Sequence, residues 1–90
     1  MMTNTDDKIK NVFAAEFENA IFDVYSENGQ INENIVLYTV FVDKSEYNVE
    51  KFSEEEQEAI IQFAKLHVFD EIFQSEKDDY SLVFYGLIIQ

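Results

Sequence analysis

Hydrophobic and polar positions alternate along this chain with two different periods. Ile9, Phe13, Phe17, Ala20 and Val24 recur at spacings of three and four, with Lys10, Asn11, Glu18 and Asn19 mostly falling elsewhere. That is the apolar stripe of an amphipathic helix. Thr5 is placed to cap it, and Asp6 and Asp7 sit where a helix N-terminus favours negative charge. The spacing carries this helix to about Ser26, with Gly29 as a C-terminal stop. Phe22 lies off the stripe, so 20–25 also reads as a short strand entering an Asn28-Gly29 turn. Of the two readings the helix is favoured.

Two later blocks lose the helical period. Ile35 to Val42 (IVLYTVFV) and Tyr80 to Ile89 (YSLVFYGLII) are β-branched and aromatic with no charge. Each reads as a strand apolar on both faces, hence central in a sheet or covered on both sides. An exposed strand of this kind invites aggregation. Gly86 marks a bulge or a close backbone contact.

Between them lies Phe52 to Ser75. Ser53-Glu54-Glu55-Glu56 is a capping box, in which the Ser53 hydroxyl accepts from the Glu56 amide. Phe52 stands where a hydrophobic staple begins, but its partner position is Gln57. The helix is expected to run to about Ser75 with two apolar stripes. Ala59, Phe63, Leu66 and Phe73 form one; Ile61, Ala64, Val68 and Ile72 form the other. Two stripes imply burial between layers or contact with another chain. The segments ENGQINEN (27–34), EYNVEK (46–51) and 76–79 read as polar connections.

The expected fold is a single α+β domain spanning 1–90, with residues 1–5 frayed. Two main helices pack on a two- to three-stranded sheet, in the order α-(β)-β-α-β. If the two clear strands are parallel neighbours, the long helix is a right-handed crossover. If 20–25 is a strand, the sheet is mostly antiparallel. A two-stranded sheet is marginal alone, which favours three strands or completion by dimerisation.

Composition changes this picture chiefly through charge. Nineteen Asp and Glu face six Lys and no Arg, a net charge of −13 on 90 residues. Such a surface repels nucleic acid and attracts basic partners. There is no cysteine, so neither a disulfide nor a thiolate metal site is available. The polar start MMTNTDDKIK is not a signal peptide, and no apolar run approaches a membrane span. A cytoplasmic protein is expected, in the host cytoplasm if phage-encoded.

Candidate chemistry is sparse. Aligning Gly29 with the glycine of a calcium loop puts Val24 and Ile35 where carboxylates are required, so the loop is not a calcium site. His67 is the only histidine. Glu71 would follow it by one helical turn, but two ligands do not make a metal site. No phosphate-binding glycine loop is present. The chain is therefore expected to be no enzyme and to carry no metal or cofactor.

The acids fall in runs. Glu46, Glu50, Glu54 and Glu58 recur every four residues, with Glu55 beside them. Glu16, Glu18, Asp23, Glu27 and Glu33 form a second run, and Glu76, Asp78 and Asp79 a third. Acids one turn apart on a helix face are spaced about as phosphates along a DNA strand. Like charges at that spacing weaken a helix slightly, so helix stability does not account for them. Phe22, Tyr25, Tyr47, Phe69 and Tyr85 exceed what the stripes need and would supply an adhesive aromatic component.

In type, this small acidic chain is similar to the α+β proteins that phages use against host defence: anti-CRISPR proteins, restriction inhibitors and uracil-glycosylase inhibitors. No motif matches a particular member, so the resemblance carries over no residues. It implies an inhibitor occupying the basic nucleic-acid-binding groove of a host nuclease or a CRISPR effector. Two alternatives share the composition. One is an immunity protein neutralising a toxin encoded beside it. The other is a structural homo-oligomer, a homodimer for example, joined through the second helix stripe or the Tyr80–Ile89 strand.

Overall fold

A computed structural model describes residues 5–26, 30–32, 34–44 and 52–89. Helix α1 spans Thr5–Glu16, followed by strands β1 (Ala20–Tyr25), β2 (Gln30–Asn32) and β3 (Ile35–Lys44). Helix α2 spans Glu54–His67, and β4 (Glu71–Lys77) and β5 (Ser81–Ile89) complete the described elements. The five strands form one antiparallel sheet in the order β1-β3-β5-β4. β2 pairs with the start of β3. Since β5 occupies the other edge of β3 from Ile35 to Asp43, β2 continues the line of β1.

The sheet has two unlike faces. Phe22, Val24, Tyr38, Val40, Val42, Leu82 and Phe84 point one way and are buried. Ile9 and Phe13 of α1 and Ile60, Ile61 and Ala64 of α2 join them in one core. Phe13 is its centre. Its ring stacks on Phe22 at 5.0 Å and meets Phe63 and Phe84 edge-on at 5.7 and 6.2 Å. Burying one such side chain contributes roughly 2–3 kcal/mol. Both helices therefore lie on the same side of the sheet.

This architecture overturns the expected two- to three-stranded sheet and the α-(β)-β-α-β order, which becomes α-β-β-β-α-β-β. Three local effects explain the difference. First, α1 stops at Glu16, ten residues before Ser26. The chain turns at 17–19, where Ala20 N–H donates to the Phe17 carbonyl (3.3 Å), and 20–25 is a strand. Ala20 and Val24 extend the helical spacing by coincidence. What decides the conformation is alternation, with Phe22 and Val24 inward and Ile21, Asp23 and Tyr25 outward.

Second, α2 ends at His67 and the chain returns as β4 instead of continuing to Ser75. Phe69 is drawn into the core, where its ring packs on Gly86. A Cβ on Gly86 would overlap that ring, so glycine provides the close backbone contact here. The irregularity of register lies in β4, between Phe73 and Glu76. The two-stripe helix thus dissolves. Val68, Ile72 and Phe73 lie beyond it, Ala59 and Leu66 are exposed, and only the Gln57, Ile60, Ile61 and Ala64 face is buried.

Third, β3 and β5 are the two central strands, as their apolar character requires, but helices cover only one of their faces. They pair antiparallel, so α2 is not a parallel crossover. The capping box does form: Ser53 Oγ accepts from Glu56 N–H (3.1 Å) and donates to Glu56 Oε1 (3.2 Å). Of the segments expected to be frayed or connecting, residues 1–4, 27–29, 33 and 46–51 lie outside the described residues, while Thr5 opens α1 and Gln30–Asn32 form β2.

Candidate functional site

Sheet register brings one end of every layer together. Ala20 starts β1 opposite Lys44, the end of β3, and Ser81 starts β5 opposite Asp43. The β4–β5 turn closes there through the Asp78 N–H bond to the Ser81 carbonyl (2.9 Å). The first turns of α2 dock on the same end. Phe52 N–H donates to the Asp79 carbonyl, and the buried Gln57 side chain donates to the carbonyls of Asp78 (2.9 Å) and Ser81 (3.4 Å). The end of α1 closes the group, since Glu16, Phe17 and Glu18 share a cleft of about 420 Å³ with Phe52, Glu56 and Ile60.

Three acidic runs that are distant in sequence thus meet. Glu16 and Glu18, then Glu54, Glu55 and Glu58, then Asp78 and Asp79 are all exposed at this end, with Asp43 next to them. Glu54 and Glu58 stand one turn apart on α2. Two lysines offset the charge. Lys77 pairs with Glu58 at 3.3 Å, both exposed. Lys44 is buried; its Nζ lies 2.8 Å from Glu56 Oε1 and 5.4 Å from the centre of the Phe52 ring. The hydrogen bonds from Lys44 hold the Glu56 carboxyl below its ordinary range, against a smaller opposing effect of burial.

Asp23 is the exception among the described acids of the second run. It lies mid-strand on β1, opposite Phe41, and pairs with Lys10 at 3.6 Å. Glu27, Glu33, Glu46, Glu50 and Tyr47 lie outside the described residues.

The aromatic candidates divide. Phe22 and Phe69 are buried and have no surface to offer a partner: Phe22 stacks on Phe13, and Phe69 sits between Tyr38 and Phe84. Tyr25 is half exposed and meets Phe41 edge-on at 5.8 Å. Phe41 and Phe73, absent from the sequence-derived set, stand on the same open face of the sheet. Register makes them neighbours, with Tyr25 opposite Thr39, Thr39 opposite Tyr85, and Tyr85 opposite Phe73. Alternation along 35–43 puts Phe41 on one face with Leu37 and Thr39, whereas the side taken by Phe73 follows only once 71–77 is a strand.

His67 ends α2, exposed, with its ring 5.1 Å from that of Phe63. Glu71 belongs to β4, so the helical His–Glu spacing does not arise. Among the described residues, no group of three or more His, Asp or Glu side chains is placed to hold a metal ion. Nor is any described helix long and apolar enough to cross a membrane. The chain matches no protein-family model, no curated protein and no solved structure.

Proposed function

We propose that this chain is a binding protein, not an enzyme, which engages a basic nucleic-acid-handling protein and keeps nucleic acid off the groove it occupies. The supporting observation is the meeting of three acidic runs at one end of the fold. Sheet register and α2 docking set these carboxylates on a rigid frame, where their fields add over a surface. The adjoining cleft pairs the apolar Phe17, Phe52 and Ile60 with the exposed acids Glu16 and Glu18. That chemistry suits the aliphatic stem and cationic head of a lysine or arginine. A phage-encoded inhibitor acting in the host cytoplasm is the setting that fits this reading.

The test is capture from a host lysate by the purified chain, compared with a variant carrying Glu54→Lys, Glu58→Lys, Asp78→Lys and Asp79→Lys. A basic nucleic-acid-binding protein should be retained at low salt, released at high salt and missed by the variant, because long-range attraction is screened. A complex that persists unchanged at high salt, or that the variant captures equally well, refutes the proposal.

A further inference from the structure

An antiparallel sheet covered on one side ordinarily shows polar side chains on the other. This sheet confines them to its rim and to Thr39. Its open face carries Ile21 and Tyr25 from β1, Leu37 and Phe41 from β3, Phe73 from β4, and Val83, Tyr85, Leu87 and Ile89 from β5. Ile21, Tyr25, Phe41, Phe73 and Ile89 remain 39–57% exposed. At about 200 Å² per large side chain, these five present on the order of 500 Å². That is near the upper end of the patches monomers tolerate. The half-buried Leu37, Val83, Tyr85 and Leu87 lie between them and bring the face toward the ~800 Å² per partner of a stable interface.

The charges on this face identify the occupant. Its polar rim is acidic: Asp23 on the β1 edge, Glu71 and Glu76 on the β4 edge, and Asp43 at the end that leads to Glu54 and Asp78. Among the described residues no lysine projects from it. Lys44 and Lys77 point to the other face and pair with Glu56 and Glu58, and Lys10 reaches Asp23 from α1. Two copies packed face to face would set carboxylates against carboxylates, each copy bearing −13. A partner with an apolar centre and a Lys/Arg rim meets both requirements.

We propose that the open face of the sheet is a docking surface for a basic protein whose contact patch has an apolar centre, with Tyr25, Phe41, Phe73 and Tyr85 as anchors. The inference rests on the reading of the chain as a protein-binding module and adds a second, apolar surface that continues from the acidic end through Asp43.

Two probes separate the surfaces: an amphipathic Leu/Lys peptide helix and a poly-lysine peptide of equal charge. NMR shift mapping on the wild-type chain should show the Leu/Lys peptide perturbing Tyr25, Phe41, Phe73 and Tyr85, and binding about tenfold more tightly than poly-lysine. Tyr25→Ser with Phe41→Ser, verified as folded by thermal melting, should remove about tenfold of that affinity and leave poly-lysine binding unchanged. The proposal falls if both peptides bind alike with shifts confined to the acidic end, an outcome that leaves the acidic-end reading intact. It falls together with that reading if neither peptide binds. It also falls if sedimentation finds a dimer whose interface protects the open face.

Discussion

Lys44 is tied to Glu56 by a forked ion pair, Nζ lying 2.8 Å from Oε1 and 3.1 Å from Oε2, and the two ends of this pair differ in burial. The lysine side chain is 4% exposed and the glutamate 43%. Removing one partner is therefore unlike removing the other. Lys44→Met should destabilise the fold by roughly 1 kcal/mol, since water solvates the remaining carboxylate. Glu56→Gln should cost more, about 2 kcal/mol, because the buried ammonium loses the carboxylate that accepts its forked bond. Denaturant melts of the two variants check the order.

The same pair sets a pH dependence. Glu56 titrates below its ordinary value of 4.5, chiefly because Lys44 donates to its carboxylate. A depressed folded-state pKa means the native state binds fewer protons, so its contribution is present above about pH 4.5 and is lost as pH falls through the lowered value. The difference in stability between wild type and Glu56→Gln should shrink below pH 4.5. Tyr38 works oppositely. Burial, reinforced by Asp6, raises its pKa, so its contribution holds below pH 10.0 and declines at more alkaline pH.

Salt should stabilise this protein. With a net charge of −13, repulsion among exposed carboxylates opposes the compact state. Raising ionic strength from ~0.01 to ~1 M shortens the screening length from ~30 to ~3 Å. Tm should rise across that range, and scanning calorimetry in sodium chloride measures it. A flat or falling Tm would mean that the exposed ion pairs outweigh the repulsion.

Gly86 and Phe69 form a steric pair. Gly86→Ala should destabilise by about 1–3 kcal/mol, because the Phe69 ring occupies the space of the new methyl group. Phe69→Leu should cost about 1–2 kcal/mol through lost packing. Combined, the two should cost less than their sum, since the smaller side chain admits the methyl. A double-mutant cycle by urea denaturation gives the coupling.

Gln57 makes a prediction about one turn. It is buried, and its side chain bonds the carbonyls of Asp78 and Ser81. Gln57→Leu keeps the volume but removes the side-chain donor to the Asp78 carbonyl, while the Ser81 carbonyl keeps its bond from Asp78 N–H, so about 1 kcal/mol should be lost. Amide exchange should accelerate first around Asp78–Ser81.

How much of this was legible in the sequence varies from residue to residue. Ser53 and Glu56 identified the start of α2, because a capping box is local chemistry between residues three apart. The central placement of 35–44 and 81–89 was legible for the same reason, since both strands lack charged residues over most of their length. The end of α2 was not. Nothing within 53–75 distinguishes a helix from a helix and a strand. The deciding contact joins Phe69 to Gly86, in another strand. Likewise Val24 fits both the α1 stripe and a strand over 20–25, and its pairing opposite Val40 decides for the strand. The acidic runs were visible, but their meeting depends on register between Asp43 and Ser81 and on the Gln57 bonds. The open face was not legible because apolar residues at both parities look the same whether one side is covered or two.

The position of β5 has a kinetic consequence. It follows every other described element in chain order, yet it lies inside the sheet, between β3 and β4. Until it is in place, β4 has no strand to pair with and β3 keeps one edge unsatisfied. Completing the sheet therefore requires joining Ile35–Lys44 to Ser81–Ile89 across the whole of α2 and β4, a non-local closure of the kind that slows folding. On the ribosome, the preceding elements would wait as an incomplete, apolar sheet until those residues emerge. In that interval the chain is most exposed to chaperones and proteases, whatever its final stability.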